Sequence, residues 1–297
     1  MREVVLKTSL GEIHALRMLG QAQDLPPARS GDEPTSVVPR VLALHGWLDN
    51  AASFVPLSEH LRGIDLVAVD LPGHGRSAHL PPGADYSFAG TVNAVLDTAD
   101  ALGWDIFALL GHSMGAGIAS LVAAACPQRI TRLVAIEALG ALAEVPERTV
   151  ERMRDAVAAT RALPDKKLRV FPDVAMATRA RMQSNGLSEP VARLLAERGV
   201  RAVDGGYVWS SDPRLTLPTM QRMTEAQINN LVAGIACPTR VIFANPAQPY
   251  LPDALRRERV ALLPHGDLIV LDGTHHLHME DPQAVAGAIG DFLQATG

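Results

Sequence analysis

Cysteine is scarce. Cys126 and Cys237 are the only two in 297 residues, so a disulfide framework is excluded. Each stands beside a proline in apolar surroundings and reads as a buried thiol. Basic residues are outnumbered, 27 Lys and Arg against 32 Asp and Glu, for a net charge of −5. That balance offers no cationic excess for nucleic acid and no basic patch for an anionic membrane surface. No apolar run reaches the roughly 18 residues that a membrane span needs. The opening MREVVLKTSLGEIHALRML alternates charged and apolar residues and lacks the apolar stretch of a signal peptide. A cytoplasmic protein is the expectation. Metal-ligand spacings of the C-x-x-C or H-E-x-x-H kind are missing too, so no metal site is expected.

What is present is a globular composition. Apolar residues make up 47% of the chain, enough for a sizeable core and too many for a disordered one. The length allows two domains, or one α/β domain with an insertion.

The order of apolar patches favours the second. A strand pair, Glu3–Thr8 and Glu12–Leu19, precedes a loop from Gln21 to Pro39 rich in Pro, Gly, Ser and Asp. Short apolar strands then alternate with helical segments. Strands are expected at 40–46, 65–70, 105–112 and 131–137, with helices at 51–61, 87–102 and 114–125 between them. Near-continuous apolar strands in this alternation predict a parallel sheet covered on both faces. After the sixth strand the pattern breaks. Residues 141–224 read as helices at 147–163, 172–184 and 189–197. Alternation resumes with helix 225–235, strand 239–244, helix 252–262, strand 267–272 and helix 282–296. The expected organisation is a core of residues 1–140 and 225–297, divided by a helical segment over 141–224.

The strongest chemical signal is Gly111-His112-Ser113-Met114-Gly115, between an apolar strand and a helix of small residues. A G-x-S-x-G match alone is weak; its strand–helix setting gives it weight. Glycines on both sides permit a sharp turn that a Cβ would obstruct. The turn presents the Ser113 hydroxyl at the C-terminal edge of the sheet, above a helix N-terminus. The bland reading is an ordinary serine N-cap.

A nucleophilic serine needs a base. His275, His276 and His278 cluster just after the last strand, where a loop histidine can reach Ser113. Three solvated histidines, or a metal cluster, are the competing readings. Acyl transfer also needs two N–H donors for the oxyanion. Met114, just after the serine, supplies one, and Trp47, in the loop after strand 40–46, is the candidate for the other. His45 reads as a structural hydrogen-bonding residue. The Trp47 side chain either walls a pocket or packs under the insertion. His45, His112 and Trp209 are the candidate pocket residues.

HGWLDNAASF (45–54), VAVDLPGHGRS (67–77), LLGHSMGAGIAS (109–120) and GTHHLHMEDP (273–282) occur in a familiar order and spacing. By them the chain resembles the α/β-hydrolase superfamily with a helical cap, and its wording is most similar to serine-hydrolase-like proteins. The resemblance implies an α/β-hydrolase fold in which 141–224 is the cap. It makes Ser113 the nucleophile and His275 the base, the histidine placed before the MEDP proline as in the family. His276 and His278 become neighbours. Asp70 and Arg76 brace loops near the site. In the cap, GGYVWSSDPRL (205–215) reads as a Gly205-Gly206 turn before a β-like YVW, with Asp212 and Arg214 as candidate braces of the cap against the core.

The acid departs from the commonest family pattern. That position falls near Ala247, and ANPAQPY (244–250) holds no carboxylate. Glu137 ends the strand after the nucleophile helix, where haloalkane dehalogenases with a glutamate acid carry theirs. A carboxylate ending a buried apolar strand is costly unless paired, and His275 would be its partner. Asp253 and Asp272 are the alternatives, Asp253 also reading as a helix cap. Dehalogenase and epoxide hydrolase chemistry is disfavoured, because both use an aspartate where this chain has Ser113.

The implied activity is hydrolysis of a small-to-medium carboxylic ester through an acyl-enzyme, with a small-molecule acyl substrate and no cofactor. A thioesterase, a C–C bond hydrolase, an acyltransferase or a cofactor-free perhydrolase or haloperoxidase would use the same triad. A non-catalytic ligand-binding module is the rival from another class. Either a monomer or a homodimer fits.

Overall fold

A computed structural model describes residues 1–19, 38–163 and 168–294. Most of the expected loop from Gln21 to Pro39 lies outside them, as does the end of the expected helix 282–296.

Among the described residues, eight strands form one sheet: β1 (Arg2–Thr8), β2 (Gly11–Leu19), β3 (Arg40–Leu44), β4 (Asp65–Val69), β5 (Phe107–His112), β6 (Ile130–Ile136), β9 (Thr239–Asn245) and β10 (Gly266–Asp272). The order is β1-β2-β4-β3-β5-β6-β9-β10. Strand β2 runs antiparallel to both of its neighbours, and the pairings from β4 to β10 are parallel. A two-stranded ribbon, β7 (Val200–Val203) and β8 (Gly206–Trp209), lies in the inserted segment.

The side-chain period of a strand explains why the central strands read as unbroken apolar runs. Leu42 and Leu44 of β3 point into one buried layer, and Val41 and Ala43 into the other. The first layer is covered by α2 (Thr91–Ala101), α3 (Met114–Ala125) and α7 (Glu225–Ala233), through Val95, Ile118 and Ile228 among others. The second is covered by α1 (Val55–Ser58) and α10 (Pro282–Ile289), through Leu57, Val285 and Ile289. Both faces are therefore dry, as a parallel sheet requires. The edge strands are the exceptions: Val5 of β1 and Val270 of β10 stay exposed.

The insertion holds α4 (Thr149–Ala162), α5 (Val174–Asn185) and α6 (Glu189–Gly199) besides the ribbon. Strand β8 matches the β-like YVW expected after the Gly205-Gly206 turn, and its partner β7 is an addition to the helices expected in this segment. Gly205 and Gly206, both at positive φ, make the tight turn that lets β7 and β8 pair. Short α8 (Asp253–Ala261) and α9 (Leu277–Glu280) complete the core. Two other boundaries move. The segment expected as one helix at 51–61 is a 3₁₀ turn, Ala51–Phe54, running into α1. The helix expected from Ser87 starts at Thr91, because Ser87 turns back to accept from Gly90 N–H.

The strand order locates the site. From β3 the chain goes to β4 on one side, then crosses back to β5 on the other. Beyond the C-terminal ends of β3 and β5 the connections diverge and leave a crevice, where open α/β sheets bind ligands. The HGW segment follows β3, and Ser113 follows β5.

Candidate active site

Ser113 sits on a strained turn. Its backbone is at φ 52° and ψ −118°, a conformation that L-residues rarely adopt. The positive φ belongs to the serine, not to the flanking glycines. Gly111 and Gly115 are needed for room. A Cβ on Gly115 would lie 1.9 Å from the Leu44 carbonyl oxygen, and one on Gly111 2.4 Å from Ala116 Cα. The turn is held by Ser113 N–H donating to the Ile136 carbonyl (2.8 Å) and by the Ser113 carbonyl accepting from Gly117 (3.0 Å).

His275 follows β10 and spans the gap between two oxygens. Its Nε2 is 2.9 Å from Ser113 Oγ, and its Nδ1 is 2.9 Å from Glu137 Oε2. With the carboxylate accepting, Nδ1 carries the proton and Nε2 is free to accept from the serine hydroxyl. Glu137, 2% exposed, stands just past β6 with φ 62°. Its second oxygen accepts from Ala244 N–H on β9 (2.5 Å), so both carboxylate oxygens are engaged. The other two carboxylates weighed as the acid lie elsewhere. Asp253 is solvent-exposed and pairs with Arg257, and Asp272 accepts from Asn245 Nδ2. Asp253 is also not the cap of α8; that position is Pro252.

Trp47 occupies a tight turn closed by Asp49 N–H donating to the Gly46 carbonyl (3.1 Å), with Leu48 at φ 57°. The closing bond does not use the Trp47 N–H. Gly115 packs against the Leu44 and His45 carbonyls, so this turn lies over the start of α3, where Met114 N–H has no intrahelical acceptor. The Trp47 indole donates to the Leu215 carbonyl (2.8 Å), tying the turn to the insertion. Trp209 packs edge-on against Phe171, with ring centroids 5.4 Å apart, inside the insertion's own apolar cluster.

His45 is fully buried with both nitrogens engaged: Nδ1 on the Gly46 carbonyl (2.7 Å), Nε2 accepting from Leu71 N–H (3.0 Å). His112 is buried under His275 and donates from Nε2 to the His275 carbonyl (2.8 Å). Its ring is 4.0 Å from that of His278 and 5.2 Å from that of His276. Asp49 lies beside this group, 3.4 Å from His276 Nε2 and paired with Arg181 of α5. Burial alone would raise its pKa; the His276 hydrogen bond and the Arg181 charge instead hold the carboxyl far below the usual range. These histidines are therefore packed and buried, not solvated. Among the described residues, no group of three His, Cys, Asp or Glu side chains is placed to hold a metal ion.

The family now follows from sequence as well as geometry. A model of the family described as "alpha/beta hydrolase fold" matches residues 39–282. The chain belongs to the α/β-hydrolase fold family. A serine hydrolase-like protein of Danio rerio is 31% identical over 267 residues, covering 86% of this chain and 81% of its own. The crystal structure of a hypothetical protein from Pseudomonas aeruginosa PAO1 matches at 36% identity and TM-score 0.88, covering 99% of this chain and 100% of its own. A thioesterase domain from the curacin biosynthetic pathway superposes at TM-score 0.79 with 24% identity, which is a likeness of fold.

Within this α/β-hydrolase fold, three buried arginines, Arg198, Arg256 and Arg259, escape a reading of the sequence. Arg198 of α6 pairs with Asp70 (2.9 Å) and Glu3 (2.8 Å), joining the insertion to the core. Asp70 also accepts from Ala51 and Arg76 N–H, so it ties the loops around the crevice. Arg214 holds the Pro81 and Ala84 carbonyls, both at 2.9 Å, while Asp212 accepts from Tyr86 (2.8 Å). Arg256 and Arg259 of α8 are 2% exposed each, on a helix, DALRRERVA, rich in charged residues.

The buried histidines make stability depend on pH. Burial pushes His45 down to about 4 and His74 and His278 to about 3, from an ordinary 6.5. Between those values and 6.5 the unfolded chain binds protons that the folded chain refuses, so stability rises with pH in that window and is lost as pH falls through it. The urea midpoint is expected to drop steadily from pH 7 to pH 5. His278→Leu is expected to flatten the drop, since neither His278 nitrogen has a hydrogen-bond partner among the described residues. A midpoint independent of pH in both proteins would contradict this.

Proposed function

We propose that the chain is a serine hydrolase that cleaves small-to-medium carboxylic esters through an acyl-enzyme. The observation that carries the reading is the unbroken relay from Ser113 Oγ through His275 to Glu137, at 2.9 Å for each link. In this reading Ser113 Oγ attacks the acyl carbonyl carbon while its proton passes to His275 Nε2. The carbonyl oxygen gains the charge and is held by the Met114 and Trp47 N–H groups. Glu137 keeps the imidazole in the Nδ1–H tautomer and stabilises the imidazolium. His275 then gives its proton to the leaving alcohol oxygen as the C–O bond breaks. Water, deprotonated by the same nitrogen, attacks the acyl-enzyme and releases the acid, returning the proton to Ser113. Residues 141–224 serve as the cap that shapes the acyl pocket, held through Arg181, Arg198, Arg214 and the Trp47 indole.

The test is turnover of p-nitrophenyl esters from acetate upward, with matched acyl thioesters in parallel. Ester turnover with a single preferred chain length is expected, and kcat/KM for the ester should exceed that for the thioester. Faster thioester cleavage would transfer the assignment to a thioesterase. Absence of turnover on both series would favour a ligand-binding module.

A further inference from the structure

The sequence puts no carboxylate in the stretch after β9, where this fold commonly carries its acid, and the structure puts a buried arginine beside it. Arg256 is 2% exposed. Its Nε donates to the Leu251 carbonyl (2.8 Å) and its Nη1 to the Ala244 carbonyl (2.7 Å). The guanidinium lies over the Phe243 ring, 4.3 Å from its centroid. The third nitrogen, Nη2, makes no hydrogen bond among the described residues and sits 3.7 Å from Glu137 Oε1. That same oxygen accepts from Ala244 N–H. One residue of β9, Ala244, is thus held at both of its backbone polar groups, its N–H by Glu137 and its carbonyl by Arg256.

We propose that Arg256 is the positioning residue of the Glu137 carboxylate, fixing it against β9 and balancing its charge in a dry site. A carboxylate with 2% exposure needs a counter-charge. Besides the Ala244 N–H, three polar side chains face or approach it: the His275 imidazole, Arg256, and Tyr250, whose hydroxyl is pushed up by burial and by the Glu137 charge. Arg256 is the only permanent cation of the three. Its neighbour one turn on, Arg259, donates to the Leu139 and Ala141 carbonyls, just past Glu137, and is paired with Glu225. Helix α8 therefore braces the acid directly through Arg256 and braces the segment after it through Arg259.

The inference rests on the triad reading, and the experiment separates the two. Arg256→Met keeps the bulk and removes the charge; Arg256→Lys keeps the charge. Ester kcat and KM are measured from pH 5 to 9 for both, for Glu137→Gln, and for Glu137→Gln combined with Arg256→Met. Arg256→Met is expected to lower kcat about 10- to 100-fold with KM nearly unchanged, the size of a small misplacement at a reacting group. The acidic limb of its kcat profile is expected to move up by about 0.5–1 pH unit, because loss of a nearby positive charge favours the imidazolium. Arg256→Lys should return the limb to its original position. The double variant should be no slower than Glu137→Gln alone, since Arg256 acts through Glu137.

Additive losses in the double variant, or a Met variant with unchanged kcat and limb, overturn the role of Arg256 and leave the triad standing. Full activity in Glu137→Gln overturns the triad reading itself. If Arg256→Met does not fold, the double variant decides by thermal melting. Recovery on removing both charges supports the pairing, and no recovery assigns Arg256 to the backbone carbonyls alone.

Discussion

Ser113→Ala is expected to lower ester turnover about 10⁶-fold, the loss seen when a serine nucleophile is removed from a working triad. The oxyanion donors and bound substrate would still leave about 10³–10⁴-fold over water. Alanine keeps the Cβ, so the strained φ of 52° is no worse than before, and the hydrogen bond from the residue 113 N–H to the Ile136 carbonyl is untouched. The fold, read by circular dichroism and melting temperature, is therefore expected to be unchanged, and KM to change little. A variant that keeps a tenth of the turnover would remove Ser113 from the mechanism.

Glu137→Gln is expected to lower kcat about 10⁴-fold. The cause is a hydrogen-bond constraint. Ala244 N–H is a fixed donor into one side-chain oxygen of residue 137, and His275 Nδ1 faces the other. A glutamine has one oxygen and one NH₂. With its oxygen on Ala244 it turns the NH₂ toward His275, which must then accept at Nδ1 and carry its proton on Nε2. That tautomer cannot take the Ser113 proton. Asp253→Asn and Asp272→Asn serve as controls, because Asp253 pairs with Arg257 and Asp272 with Asn245. Both are expected to stay within about twofold of the parent, as surface substitutions do. Equal losses in Asp253→Asn would point to a rearranged acid.

The parts that were legible in the sequence are those whose cause is local. A strand, a tight turn and a small-residue helix are fixed by residues close together in the chain, so the position of Ser113 could be read from GHSMG. Glu137 was legible for a related reason: a carboxylate ending the apolar run LVAI needs a partner. Apolar runs buried on both faces gave the parallel strands.

The rest depends on distant partners. The burial of the α8 arginines has no local signal, because their charged partners, Glu137 and Glu225, lie far away in sequence. Strand β8 has a β-like YVW after a glycine turn, but its partner β7 is four residues, VRAV, too short for a clear alternating pattern. The burial of His112, His276 and His278 follows from the packing of β5, the HGW turn and the loop after β10 on one another, which no single segment encodes. One local signal was available for Asp49: an acid beside HGW in a segment otherwise apolar or amide.

In the proposed mechanism Ser113 is activated by His275 and Glu137. Fluorophosphonate labelling followed by peptide mapping tests it most directly. The predicted result is one covalent adduct per chain, on the peptide that contains Ser113, forming orders of magnitude more slowly in Glu137→Gln. An adduct on another residue, or no adduct in a folded protein, would contradict it.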